Sequence, residues 1–149
     1  MTAIHRYVEA CRAGQCPALI ARMQSGWAIM GERQVLAGYA LLLPDPVVPH
    51  LNALAPRDRD RFLADLGKLG EAVWRATGAL RINYAMFGNL EPALHAHVVP
   101  RYDNEPEAMR TLHPWAYDWS KAPAFDLARH GALRDSIRAE LAREPLGGA

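Results

Sequence analysis

His95 and His97, in the run Leu94-His-Ala-His-Val-Val-Pro-Arg101, are the side chains of this sequence best suited to do chemistry. An imidazole near its ordinary pKa of about 6.5 is largely unprotonated at neutral pH, so it can attack an electrophile without a separate base. A second imidazole beside it can hold or protonate an oxygen on the same group. The spacing supplies the arrangement: apolar residues alternate with the histidines, which is the period of a β-strand. Leu94, Ala96 and Val98 are then expected to face a hydrophobic core, with His95 and His97 side by side on the opposite face, their Cα atoms about 6.6 Å apart. Two other readings stand beside this one, namely histidines without a task and ligands of zinc or iron. The metal reading needs a third ligand, and His5, His50, His113 and His130 lie in dissimilar segments.

The elements that must position this pair can be read from the flanking pattern. Residues 3–12 have the pattern of a short amphipathic helix ending near Gly14. Strands are expected at Trp27 to Met30 and Val35 to Leu43 with Gly31-Glu32 as the turn, followed by a loop that Pro44, Pro46 and Pro49 keep irregular. The clearest helix starts at Pro56, buries Phe62, Leu66, Leu69 and Val73 as one stripe, and ends at Gly78 as a left-handed cap. A strand over Arg81 to Phe87, a loop over Gly88 to Pro92 and the histidine strand over Leu94 to Tyr102 come next. Short strands with turn-sized links and one long helix imply an α+β fold, an antiparallel sheet of about five strands with the helix packed on one face. Beyond Asp103, Pro106, Pro114 and Pro123 alternate with Trp115, Tyr117 and Trp119, the pattern of an ordered coil pinned by aromatic packing. A final helix, capped by Asp126 and carrying Leu133, Ile137 and Leu141, is expected to stop before Pro145.

Composition excludes several classes. The 149 residues suit a single domain, and 17 basic against 16 acidic side chains imply no nucleic-acid partner. The longest apolar stretch, about Leu36 to Pro44, is far short of the roughly 20 residues that span a bilayer, and the N-terminus lacks a signal-peptide core, so a cytoplasmic protein with no membrane partner is expected. Cys11 and Cys16 read as two free thiols of a reducing compartment.

Taken together, Leu94-His-Ala-His-Val-Val-Pro-Arg101, the upstream Ile82-Asn-Tyr-Ala-Met-Phe-Gly-Asn89, and Gly38-Tyr-Ala-Leu-Leu-Leu-Pro44 resemble the histidine triad (HIT) superfamily of nucleotide hydrolases and transferases. The resemblance covers a core of about residues 8–102 and leaves 103–149 as a C-terminal extension. It implies that His95 is the nucleophile that takes a nucleoside monophosphoryl group, passing through a phosphoramidate, and that His97 donates a hydrogen bond to the phosphate or leaving-group oxygen. It also implies a homodimer and no cofactor. Asn83, Gly88 and Asn89 match the loop that offers donors to phosphate, and Glu32 is the nearest match to a ribose-binding acid. Asn beside Gly is also ordinary turn chemistry. Arg101 shares a face with His97 by period, either to attract an anionic substrate or as a solvated strand end. His50 suits a rim position, and His113 and His130 read as surface residues.

Two positions depart from the family pattern. Ala93 stands at the first triad position, and Tyr39 follows Gly38 where histidine is usual. We expect Tyr39 to replace the lost imidazole as a hydrogen-bonded support of His95. Some relatives hold zinc through two cysteines, a histidine after the proline-rich loop and the first triad histidine; here Cys11, Cys16 and His50 remain but Ala93 does not ligate, and no zinc is expected. The alternatives to an enzyme are a nucleotide-binding module with little turnover and a metal-binding protein using His95 and His97.

Overall fold

The computed structural model of the chain describes residues 1–143. Helix α1 spans Ala3–Arg12, β1 Leu19–Arg22, β2 Gly26–Met30, β3 Ala40–Pro44, α2 Pro56–Thr77, β4 Arg81–Ala85, β5 Ala96–Arg101 and α3 Leu127–Leu141. The strands form one antiparallel sheet in the order β1-β2-β3-β5-β4. The architecture is the α+β fold expected, and α2 begins and ends at the anticipated Pro56 and at Gly78, whose φ of 67° is the left-handed cap. No helix among the described residues is long and apolar enough to cross a membrane.

The sheet is covered on both faces, whereas the sequence implied a cover on one. Phe62, Leu66, Leu69 and Val73 of α2 and Ile137 of α3 pack with Leu42, Leu94, Ala96 and Val98 on one side. On the other, Ile4, Val8 and Cys11 of α1 pack with Leu41, Leu43, Tyr39 and Val99, and Trp115 and Trp119 close the same layer. Burial on both faces is why β3 reads as an unbroken apolar run, Ala-Leu-Leu-Leu-Pro, and not as an alternation.

Several boundaries differ from the sequence reading for identifiable reasons. Strand β1 was not anticipated, because Leu-Ile-Ala-Arg shows no alternation; its pairing to β2 defines it. The connection from β2 to β3 is not a tight turn at Gly31-Glu32 but a loop reaching Tyr39, held by buried Gln34, whose side chain donates to the carbonyls of Gly31 and Tyr39 and accepts from Gly38 N–H. Strand β4 stops at Ala85, not Phe87. Strand β5 starts at Ala96, not Leu94, since the Leu94 N–H donates to Val48 O at 2.8 Å and so ties this residue to the proline-rich loop. His130, read as a surface residue, is 5% exposed: its Nδ1 accepts from Asp126 N–H at 3.0 Å and its ring stacks on Phe125. Asp126 caps α3 as expected, accepting from Ala128 N–H; the anticipated stop before Pro145 lies outside the described residues.

Candidate active site at the start of the histidine strand

His95 sits just before the first residue of β5, and His97 pairs with Leu41 of β3 and Ala85 of β4. The two rings meet more edge than face, with centroids 4.9 Å apart and planes inclined by 73°. The strand period therefore places both imidazoles together, and their hydrogen bonds give them different roles.

His95 Nδ1 lies 2.7 Å from the carbonyl oxygen of Ala93. A carbonyl can only accept, so Nδ1 carries the proton and Nε2 keeps its lone pair. That nitrogen is the nucleophilic one. His95 borders an open cleft of about 510 Å³ whose wall also includes His50, Phe87, Gly88 and Asn89. The cleft falls within the roughly 300–1,000 Å³ of small-ligand sites. Gly88 adopts φ 68°, which turns the chain so that exposed Asn89 follows it on the same wall. His50 is a rim residue, as its loop position suggested.

His97 is fixed in the opposite sense. Its Nδ1 lies 2.7 Å from the hydroxyl of Tyr39, which is 5% exposed and has no other hydrogen-bond partner among the described residues. The arrangement that satisfies the buried O–H has Tyr39 donating to Nδ1, so His97 carries its proton on Nε2 and presents a neutral donor. Burial, and then the positive charge of His95 when protonated, lowers the His97 pKa to about 4. Burial likewise pushes the Tyr39 hydroxyl well above its ordinary range, so it stays protonated. Tyr39 therefore supports His97, which corrects the expectation that it would support His95: Ala93 contributes its backbone oxygen to the ring that its side chain does not reach.

A depressed histidine pKa has a consequence for stability. Between pH 6.5 and about 4 the unfolded chain binds the His97 proton more readily than the folded one. The stabilisation is complete above pH 6.5, declines as pH falls and is gone below about 4. Over that window the urea midpoint of the wild type is expected to fall more steeply with decreasing pH than that of His97→Gln; parallel slopes would show that His97 is not held neutral.

The C-terminal coil builds the wall over His97. Trp115 meets the His97 ring edge-on at 4.9 Å and Phe87 at 4.8 Å, and stacks on Trp119 at 5.3 Å, which in turn meets Tyr39 edge-on at 5.1 Å. The sequence assigns these tryptophans to packing without locating them; only the fold shows that the coil covers His97 of its own chain.

Arg101 is neither a substrate contact nor a solvated strand end. It is 5% exposed, and its Nε and Nη2 donate to Glu105 at 3.0–3.2 Å. Its Nη1 donates to Asn83 Oδ1 at 2.9 Å and Leu112 O at 2.7 Å, and Nη2 to Met109 O at 3.0 Å. All five guanidinium donors are thereby used. Asn83, expected at the phosphate, is instead drawn to Arg101 by its position opposite Val99 on β4. Glu32, the candidate ribose contact, accepts from the Tyr7 hydroxyl at 2.8 Å and borders a different cavity, beside Cys16 and Phe125, because the loop after β2 folds toward α1. The structure thus brings His95, His97, Gly88 and Asn89 together, with Tyr39 behind, and leaves Glu32, Asn83 and Arg101 outside.

No protein-family model matches the sequence, and no curated protein does. Solved structures do match the fold. A histidine triad protein from Sinorhizobium meliloti 1021 superposes with TM-score 0.71 at 21% identity, covering 82% of this chain and 87% of that one. A hypothetical histidine triad nucleotide-binding protein from Sulfolobus tokodaii strain7 gives 0.72 at 13%, covering 91% of each.

The fold is the histidine triad fold.

A zinc-bound histidine triad family protein from Mycobacterium smegmatis shares it, with TM-score 0.64, 21% identity and coverage of 89% and 91%. The residues here do not suit that metal: among the described residues no three His, Cys, Asp or Glu side chains converge. Ala93, His95 and His97 alternate along β5 and the residues just before it, with Ala93 buried at 1% exposure in the layer of α1.

Proposed function

We propose that this HIT-fold protein is a nucleotide phosphohydrolase or nucleotidyl transferase of the HIT superfamily. In this reading His95 Nε2 attacks the phosphorus of a nucleoside monophosphoryl group, the bond to the leaving group breaks on the opposite side, and water later releases the nucleotide from the imidazole. The single observation that carries it is the hydrogen bond from His95 Nδ1–H to Ala93 O, which frees Nε2 toward the cleft without any side chain at position 93. His97, neutral and with its Nε2–H available, supplies the hydrogen bond to the phosphoryl or leaving-group oxygen. Gly88 and Asn89 offer donors to the phosphate from the cleft wall, and apolar Leu51, Met86 and Leu94 suit a nucleobase. That the Sulfolobus relative bears the description nucleotide-binding supports the substrate class.

The test is to incubate wild type and His95→Ala with AMP and GMP conjugates carrying amine, sugar, acyl and nucleotide leaving groups, following product and trapping acid-labile phosphoryl-histidine. Wild-type turnover with a trapped adduct, lost in the variant, supports an enzyme. Equal AMP binding with no turnover by either protein would establish a binding module instead.

Tyr39→Phe is expected to lower kcat about 10–100-fold with little change in KM, because releasing the His97 tautomer weakens an interaction made in the transition state more than one made in substrate binding. The ¹⁵N shifts of His97 should change with it; unchanged shifts and kcat would remove Tyr39 from the mechanism.

The proposed assembly is a homodimer through β4. This strand is one of the two edges of the sheet, and Trp74, Leu80 and Tyr84 on or near it are 47%, 56% and 48% exposed. Light scattering is expected to give twice the chain mass for wild type and the chain mass for Leu80→Arg; a monomeric wild type would reject the assembly.

A further inference from the structure

Gly31 and Gln34, in the loop between β2 and β3, line no part of the cleft that holds His95, yet they fix where Tyr39 lies. Gly31 continues the pairing of the two strands by one residue: its N–H donates to Tyr39 O at 2.9 Å. Buried Gln34 closes the same pair from the other side. Its Nε2 donates to Gly31 O at 2.8 Å and to Tyr39 O at 2.9 Å, while its Oε1 accepts from Gly38 N–H at 3.0 Å. With the two backbones held side by side, the Tyr39 ring fills the space that a side chain at position 31 would need. A Cβ there would stand 2.1 Å from both Cδ2 and Cε2 of the ring, far inside the roughly 3.5–4.0 Å of carbon contact.

We propose that Gly31 and Gln34 are positioning residues of the histidine site, holding the Tyr39 ring at the depth from which its hydroxyl reaches His97 Nδ1.

The inference rests on the reading of His97 as the neutral donor to the phosphoryl or leaving-group oxygen. Its physical basis is that the ring has no free direction in which to retreat. Tyr39 is buried, the His97 ring lies nearly parallel to it at 5.9 Å and 15°, and Trp119 meets it edge-on at 5.1 Å. The loop is itself fastened to the C-terminal coil, by Gln34 N–H donating to Pro123 O at 2.8 Å and Phe125 N–H to Glu32 O at 2.7 Å. A methyl group on residue 31 must therefore tilt the ring, and the hydroxyl at its far end moves with it. The hydroxyl stands 2.7 Å from Nδ1, so a displacement of about 1 Å takes it out of hydrogen-bonding range. His97 then loses the partner that keeps its proton on Nε2.

Gly31→Ala is expected to lower kcat about 10–100-fold with KM little changed, the same loss as Tyr39→Phe. In Gly31→Ala/Tyr39→Phe kcat should lie within about twofold of Tyr39→Phe alone, because the hydroxyl through which residue 31 acts is already gone. Losses that multiply would overturn the proposal. The ¹⁵N shifts of His97 should move in Gly31→Ala in the direction they move in Tyr39→Phe, while those of His95 change little. A merely structural glycine would lower the urea midpoint and leave the His97 shifts of the folded protein where they are. Should the wild type turn over no conjugate, the enzyme reading fails and the His97 shifts alone decide: moved in Gly31→Ala they sustain the positioning role, unmoved they overturn it. Should Gly31→Ala not fold, Gln34→Glu takes its place with the same expected shifts, since it keeps the acceptor for Gly38 N–H and loses both donors. In the wild type the Gly31 α-protons should show nuclear Overhauser contacts to the Tyr39 ring, and their absence would overturn the proposal without any variant.

Discussion

Replacing His95 with alanine is expected to lower turnover of a nucleoside monophosphoryl conjugate by about 10⁴-fold or more, while leaving AMP affinity and the fold nearly intact. The size follows from what is lost. In the proposed mechanism the loss of Nε2 removes the covalent route, leaving attack by water in one step, aided only by the hydrogen bonds proposed for His97 and the Gly88–Asn89 turn. The fold should tolerate the change because His95 is half-buried and makes one side-chain hydrogen bond, to Ala93 O, a loss of about 1 kcal/mol. Rapid-quench measurement with a phosphorus-labelled conjugate separates the two effects: the acid-labile adduct should vanish while isothermal titration with AMP is unchanged. An adduct that persists in the variant would move the nucleophile elsewhere.

Arg101→Leu should cost the fold about 3–5 kcal/mol, the largest stability effect expected from a single substitution here. The guanidinium joins β5 to the coil that follows it, binding Glu105, Asn83 and the carbonyls of Met109 and Leu112. Its removal leaves Glu105 buried, with only Tyr117 O–H and Tyr102 N–H as donors. Burial by itself would raise the Glu105 pKa, but the hydrogen bonds from Arg101, Tyr117 and Tyr102 outweigh it and hold the carboxyl below its usual value. The unfolded chain therefore takes up this proton first as pH falls, and the stabilisation present above the ordinary carboxylate pKa is lost on acidification through the folded one. Urea denaturation at neutral pH is the measurement. Arg101→Leu combined with Glu105→Leu should recover much of the loss, since no unpaired buried charge then remains. If the single variant shifts stability by less than about 1 kcal/mol, the network is not a structural tie. Because the same coil carries Trp115 onto His97, the single variant should also raise the accessibility of that ring.

Local patterns were legible wherever one element sufficed to define them. Helix α2 was readable from Pro56, an apolar stripe and Gly78, since each signal acts within a few turns of the chain. Strand β1 was not, because four residues without alternation become a strand only when β2 is beside them. The site divides in the same way. His95 and His97 fall on one face through a period of two, and Gly88 turns the loop that brings Asn89 to the cleft, whatever the rest of the molecule does.

Which partner each of those residues has is a different kind of fact. Tyr39 lies 58 positions from His97, and pairing of Leu41 with His97 in the sheet is what brings its hydroxyl to that ring and not to His95. The strand period allows Arg101 either a substrate or solvent, but Glu105, Asn83 and two carbonyls consume its donors, and the aromatic run that reads as generic packing places Trp115 over His97. The sequence by itself determined the two imidazoles, their shared face and the helix beneath them, because those rest on backbone period and local propensity. The free nitrogen of His95 is set two residues away, by the Ala93 carbonyl, but tertiary structure alone decided which ring is the donor and that the C-terminal coil walls it, because the Tyr39 hydrogen bond and the Trp115 contact depend on strand register and chain return over long separations.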